Sequence, residues 1–341
     1  MLEKLINPSE LLALAEHTGL RVSRLISLKR LLASLDHWPG SRAGTEVLKA
    51  VPRLGLSSQG GSFLVSLLPY YVAEPDDPAL APEPVAKVAR FARRNYYQEL
   101  VKRFKRLCLS LREMLNCPKS SMRIFVNSRL PEKLIACGSG LVSYARNNLL
   151  YHPESGSYFV VGLLFLPFEI EDLKEEIRLS LANDFCRDCR LCYKACPTQA
   201  LSQQKPSLCL KALFDKKGLV ADELKAKWGL RFYGCDTCQE VCPHNKTVKD
   251  GERISRGEIG PWVKLKEVLS KDEITLKASF KKTALAMSWI AGEALLRNAL
   301  CAAGNSGCRE LVPLIKPYRF HQSEILKDAA RYALERLKLE G

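Results

Sequence analysis

The N-terminal half of the chain carries two hydrophobic periods. Residues 11–20 and 85–115 place apolar side chains at every third or fourth position, which predicts helices. Residues 62–71, 122–128 and 158–166 are short apolar runs rich in β-branched and aromatic side chains, which predicts buried strands. The mixture predicts an α+β fold class whose N-terminal part is an α/β domain.

Beyond about residue 250 the pattern becomes almost wholly helical. Residues 295–307, 308–318 and 323–339 form short amphipathic segments separated by turn residues. Short antiparallel helices of this kind are typical of a HEAT-like repeat. We therefore predict three parts: an α/β cofactor-binding domain at 1–180, a ferredoxin-like module at 181–250 and a helical HEAT-like region at 251–341.

The composition is that of a soluble globular protein. Of the 341 residues, 47% are hydrophobic and 26% are charged, and no apolar run is long enough to span a bilayer. The first residues lack the basic and then apolar layout of a signal peptide. These features predict a cytoplasmic protein that does not contact a membrane.

The net charge of +15 indicates an acidic partner. Phosphates are the usual one, because Lys and Arg side chains that neutralise them release condensed counterions. The alternative is a generally basic, solvated surface. Basic residues concentrate at 90–106, where aromatic residues interleave with them, and again at 277–297. The candidate nucleic-acid-binding residues are Arg93, Arg94, Lys281, Lys282 and Arg297.

Seven of the 13 cysteines form two motifs, and an eighth, Cys209, lies between them. CRDCRLCYKACP at 186–197 has the spacing of bacterial [4Fe-4S] ferredoxins, and CDTCQEVCP follows at 235–243. In such motifs the cysteine before the proline ligates the neighbouring cluster. The predicted ligands are Cys186, Cys189, Cys192 and Cys242 for the first cluster, and Cys196, Cys209, Cys235 and Cys238 for the second.

Two other uses of these cysteines are weaker. Disulfides are disfavoured in a reducing cytosol. Structural zinc takes four ligands in two pairs, which does not account for the order of the first motif. We therefore predict two [4Fe-4S] clusters.

The later part of the chain is similar to a known family. FYGCDTCQEVCPHN at 232–245 and LLRNALCAAGNSG at 295–307 resemble the epoxyqueuosine reductases of tRNA modification. The resemblance is nearly continuous from about residue 184 and patchier before it. It implies an enzyme with two [4Fe-4S] clusters and a cobalamin in the N-terminal domain, whose clusters relay electrons to cobalt.

The resemblance also implies a substrate and partners. Family members reduce epoxyqueuosine to queuosine in the tRNA anticodon loop. We therefore expect this chain to bind a tRNA anticodon stem-loop through its basic surface and C-terminal repeat. The electron source would be a low-potential donor such as ferredoxin or flavodoxin, and we expect a monomer.

The chain departs from the family where a proton donor is expected. The family has an Asp–Tyr–His triplet at the position of Asn95, Tyr96 and Tyr97. An asparagine amide cannot act as a general acid. The proton could come from Tyr96 or Tyr97 or from water, or the substrate could need no acid here.

The stretch expected to hold cobalamin departs as well. The sequence GLVSYARNN at 140–148 has Val142 and Ala145 where the family has glycines, and Arg146 where it has lysine. Larger side chains would crowd a corrin ring, unless the loop has repacked locally. The resemblance gives the candidate cobalamin-binding residues as Tyr70, Ser143, Arg146 and Asn147.

These departures leave two alternative functions open. One is a diverged cobalamin and iron-sulfur reductase that acts on another substrate. The other is a non-catalytic paralogue that transfers electrons or binds tRNA.

Overall fold

The computed structural model describes residues 6–36, 43–53, 60–75, 77–116, 122–170 and 186–339. The strands in these residues are β1 (Val22–Ser27), β2 (Ser62–Pro69), β3 (Val85–Val88), β4 (Arg123–Phe125), β5 (Ser143–Tyr144), β6 (Leu150–Tyr151), β7 (Phe159–Leu166), β8 (Arg231–Tyr233) and β9 (Trp262–Lys264). The mixed helix and strand content predicted from the sequence is confirmed.

The α-helices in the same residues differ widely in length. They are α1 (Pro8–His17), α2 (Leu28–Asp36), α3 (Ala43–Arg53), α4 (Tyr96–Leu115), α5 (Glu132–Gly138), α6 (Leu191–Ala195), α7 (Leu210–Phe214), α8 (Asp222–Trp228), α9 (Thr237–Glu240), α10 (Leu265–Leu269), α11 (Glu273–Ser279), α12 (Gly292–Asn305), α13 (Val312–Ile315) and α14 (Glu324–Leu339). None of these described helices is long and apolar enough to cross a membrane.

The chain divides into two compact units, and each draws on separate segments. The first unit contains Met1–Tyr71, Tyr96–Cys189 and His244–Glu252. The second contains Val72–Asn95, Arg190–Pro243 and Arg253–Gly341. These segments cut across the boundaries at 180 and 250, and the division into three parts stays a prediction.

The first unit is built on a sheet in the order β1-β2-β7-β4, in which all neighbours are antiparallel. Alternate side chains of β2, such as Phe63 and Val65, join the hydrophobic cluster that contains α2, α3 and α5 residues. On the other face α4 lies against β7, where a Cβ at Gly162 would come within 2.7 Å of Phe104. Because both faces are covered, β2 is apolar almost throughout.

Residues 85–95 do not continue the long helix that the periodicity predicts. Val85–Val88 instead forms the central strand of a second sheet, parallel to β8 and antiparallel to β9. The helix α4 begins only at Tyr96. The apolar spacing of these residues is compatible with either a helix or a strand. Pairing with a strand more than 140 residues away in sequence decides in favour of the strand.

The second unit contains this smaller sheet and the C-terminal helices. Trp228 stacks on Phe214 with ring centroids 4.0 Å apart. Helix α12 is buried on all sides over residues 292–304, and a Cβ at Gly304 would lie 2.6 Å from the Ala333 Cα of α14. The predicted C-terminal helices are therefore present, whereas their HEAT-like character stays a prediction.

Candidate cluster-binding and active-site residues

The four predicted ligands of the second cluster lie in the second unit at the ends of short elements. Cys196 follows α6, Cys209 precedes α7, Cys235 follows β8 and Cys238 lies in α9. Each side chain is partly exposed. Cys196 has an extended backbone with φ −63° and ψ 114°, as a residue before proline requires, and this turns the chain away from α6.

Cys238 is electrostatically coupled to other thiols of this set. Burial raises the pKa of the Cys238 thiol well above its usual range, and negative charge on Cys235, Asp236 and Cys209 raises it further. Coupled thiolates repel one another unless a cationic centre holds them together. Among the described residues no group of three or more ligating side chains is close enough to hold a metal ion, so the ligand assignment of the second cluster stays a prediction.

The loop after Cys196 directs donors at its sulfur. Burial alone would raise the pKa of Cys196, but the backbone N–H groups of Leu201, Thr198 and Ala200 lower it below its usual value. The Thr198 hydroxyl lies 3.7 Å from the sulfur. Hydrogen bonds to ligand sulfurs are among the features that set a cluster's potential, so this loop also fits a cluster ligand.

The first part of the cysteine motif is a tight turn. The Cys189 N–H donates to the Cys186 carbonyl oxygen at 2.7 Å, and Arg187 between them has φ +39°. The Arg146 guanidinium donates to the Arg187 carbonyl oxygen at 2.8 Å. The assignment of ligands to the first cluster stays a prediction.

Asn95, at the position of the family's proton donor, has a structural contact. Its side chain is fully buried and its amide donates to the Lys282 carbonyl oxygen at 3.2 Å. Its backbone N–H donates to the Arg256 carbonyl oxygen at 2.9 Å, and Gly257 packs closely against its Cβ. Lys282 has φ +71°, so Asn95 anchors a residue in the left-handed region.

The two tyrosines after Asn95 differ in exposure. Tyr96 is only 1% exposed and packs against Tyr70, with ring centroids 5.2 Å apart. Tyr70 also contacts Tyr158 edge-on at 5.9 Å. Tyr97 is half-buried. Tyr70, a candidate cobalamin residue, thus lies within an aromatic cluster, and Tyr97 is more accessible than Tyr96.

The candidate cobalamin stretch forms the β5–β6 hairpin. Ser143 pairs with Tyr151 in the hairpin register, and the Asn147 side-chain oxygen accepts the Leu149 N–H at 3.2 Å. Val142, which replaces a family glycine, is 3% exposed and belongs to the hydrophobic cluster of the first unit. This placement favours local repacking over crowding of a ligand.

His152 follows the hairpin and carries a buried polar atom. Its Nδ1 has no hydrogen-bond partner among the described residues. Burial lowers the pKa of His152, and nearby Glu154 opposes this effect. A half-buried imidazole with an unused nitrogen beside the hairpin fits a site for a polar ligand.

Three of the five candidate nucleic-acid-binding residues are internal. Arg93 and Arg94 are 1% and 2% exposed, and Arg94 donates to Glu74 and Glu258 at 2.6 Å each. Arg297 is 1% exposed and donates to the Phe214 carbonyl oxygen at 2.6 Å. These guanidinium groups are therefore removed from the candidate surface.

Lys281 and Lys282 are the other two candidate nucleic-acid-binding residues. Both side chains are exposed. Neither forms an ion pair with any residue of the described ranges.

Comparison with known protein families and proteins agrees with the cysteine motifs. Residues 185–245 match the 4Fe-4S double cluster binding domain. The chain is 32% identical over 196 residues to the epoxyqueuosine reductase of Staphylococcus aureus. That alignment covers 55% of this chain and 48% of the relative, so the chain matches about half the relative's length.

Solved structures extend the likeness to the whole fold. The structure of epoxyqueuosine reductase from Streptococcus thermophilus has a TM-score of 0.76 and 22% identity, covering 98% of this chain and 90% of that one. A crystal structure of epoxyqueuosine reductase with an epoxyqueuosine-modified tRNA-Tyr stem loop has a TM-score of 0.73 and 23% identity, covering 96% and 89%. At these identities the likeness establishes a shared fold.

Proposed function

We propose that this chain, which resembles epoxyqueuosine reductases over about half of its length, reduces epoxyqueuosine to queuosine in the anticodon loop of tRNA. The observation that carries the proposal is the double-cluster domain at 185–245 within a chain that shares the reductase fold. Two [4Fe-4S] clusters supply single electrons at potentials that reach down to roughly −700 mV.

The cysteines of the two motifs hold this electron relay. The electrostatic coupling of Cys238 to Cys235 and Cys209 supports the second cluster, and the N–H groups around Cys196 stabilise its thiolate. The electrons come from a low-potential donor such as ferredoxin or flavodoxin. The chain acts as a monomer in the cytoplasm.

The first unit supplies the residues for cobalamin. Ser143, Arg146 and Asn147 belong to the hairpin, Tyr70 directly follows β2, and the unused Nδ1 of His152 adds a polar contact. When bound, cobalamin supplies the redox chemistry at cobalt. Arg146 also orients the turn that carries Cys186 through its hydrogen bond to Arg187.

The proton for the leaving oxygen does not come from Asn95. Its amide is occupied by the Lys282 carbonyl and has no ionisable proton. Tyr96 is nearly inaccessible, which leaves Tyr97 or water as the donor. A phenol with a pKa of about 10 is a weak acid, so protonation is slow relative to a carboxylic acid donor.

Two readouts test the proposal. Anaerobically reconstituted protein is expected to hold about eight irons per chain and to show a corrinoid absorption after incubation with cobalamin. Single-turnover reaction with chemically reduced protein is expected to convert epoxyqueuosine to queuosine in a tRNA stem-loop. Protein that contains both cofactors, binds this RNA and leaves it unchanged would overturn the proposal.

Asn95 favours a second candidate function. A reductase of the same cofactors that acts on another substrate needs no acid at this position. Epoxyqueuosine would then remain unreacted with native protein, both alone and in the presence of an external acid such as imidazolium. Turnover by native protein would reject this second candidate.

A further inference from the structure

Trp289 is exposed in the second unit. Its side chain is 56% accessible, although the following Ile290 is buried at 3%. By contrast, Trp228 of the same unit is fully buried. A large aromatic surface left in water is a common feature of binding sites, because its burial is available to a partner.

The segment that carries Trp289 is held in place by internal contacts. Lys277 of α11 donates to the carbonyl oxygens of Leu285 at 2.8 Å and Met287 at 3.0 Å. The Thr283 hydroxyl accepts the Leu285 N–H at 3.2 Å. These contacts fix the backbone that leads to Trp289, so little conformational entropy is lost on binding.

The same segment presents two cations. Lys281 and Lys282 are exposed and lack ion-pair partners within the described ranges, and the Asn95 amide fixes the Lys282 carbonyl. Lys266 of the same unit, by contrast, is paired with Glu310 at 2.8 Å. The two lysines and the exposed indole lie within nine residues of one another. Single-stranded nucleic acid offers phosphates for such cations and base faces for such a ring.

We propose that Trp289 is a stacking residue for an unpaired base of the RNA loop, while Lys281 and Lys282 contact its phosphates. The inference rests on the proposed tRNA function and names a contact within it. A base face stacks on the indole regardless of sequence, whereas the phosphate contacts set the salt dependence.

The test separates stacking from charge. Binding of a fluorescein-labelled RNA hairpin and of a blunt RNA duplex is measured by anisotropy over a range of salt concentrations. Trp289→Ala is expected to weaken hairpin binding about tenfold, to leave duplex binding unchanged and to keep the salt slope. Lys281→Gln is expected to weaken both and to reduce the slope by about 0.7 to 0.9.

Matched variants distinguish the possible failures. Trp289→Phe retains a ring and is expected to restore most of the hairpin affinity, and Phe320→Ala removes another exposed aromatic of the unit without effect. Equal hairpin affinity of Trp289→Ala and native protein would overturn the inference and leave the tRNA function standing. Native protein that does not bind the hairpin would overturn both.

Trp289 could instead meet a second protein chain. Sedimentation of native protein and Trp289→Ala is measured over a range of concentrations. A native dimer that the substitution disrupts would overturn the stacking assignment.

Discussion

Restoring the family's acid at Asn95 is expected to destabilise this protein. The side chain is fully buried, and its amide donates to the Lys282 carbonyl oxygen at 3.2 Å. Asn95→Asp replaces that donor with a carboxylate oxygen, which cannot donate and which faces another acceptor. The change is nearly isosteric, so packing against Gly257 is retained.

The size of the effect follows from two contributions. A lost hydrogen bond that leaves a buried carbonyl unsatisfied costs about 1 to 3 kcal/mol. Burial of a carboxylate adds further cost, and the group responds by holding its proton more tightly. We expect Asn95→Asp to lower the free energy of unfolding by about 3 kcal/mol at neutral pH.

The sign of the pH dependence is diagnostic. Burial raises the pKa of the new carboxyl in the folded state above its unfolded value of about 3.9. Between those two values the folded state binds more protons, so stability falls as pH rises, by up to about 1.4 kcal/mol per pH unit. Below about pH 4 the protonated carboxyl can donate to Lys282, and most of the loss is recovered.

Urea unfolding of native protein, Asn95→Asp and Asn95→Ala between acidic and neutral pH measures this effect. The alanine variant loses the same hydrogen bond without a titrating group, so its difference from native protein should not vary with pH. Asn95→Asp as stable as native protein at neutral pH would refute the anchoring role of Asn95. It would indicate an accessible carboxylate, as the family's acid requires.

Three further changes have defined outcomes. Arg94→Ala leaves Glu74 without its main partner, so we expect about 3 kcal/mol of lost stability and no change in RNA affinity, measured by urea unfolding and anisotropy. Burial would raise the pKa of Glu74, but Arg94 lowers it below the usual value of about 4.5. The stabilisation that Arg94 provides should therefore be lost as the pH falls below about 4.5. Free energies of unfolding of the native protein and Arg94→Ala that stay the same distance apart in acid would contradict this. Cys196→Ala is expected to reduce iron from about eight to about four per chain, and loss of all iron would point to unfolding of the module. Gly304→Ala places a methyl 2.6 Å from the Ala333 Cα and should lower the melting temperature by several degrees; an unchanged melting temperature would contradict the close packing of these two helices.

The sequence by itself predicted the iron-sulfur domain, and residues 185–245 match a 4Fe-4S double cluster binding domain. The cysteine motifs are local, because the spacing of ligands within a short loop fixes which sulfurs can reach one cluster. The buried strands at 62–69 and 159–166 and the C-terminal helices also follow from short-range periodicity.

Only the tertiary structure decided the roles of residues 85–95. Val85–Val88 became a strand through pairing with residues near 231 and 264, and Arg94 became internal through Glu74 and Glu258. Asn95 became an anchor because Lys282, 187 residues later, offers its carbonyl. A charge or amide has no fixed role in sequence, since its burial and its partner depend on segments that folding brings together.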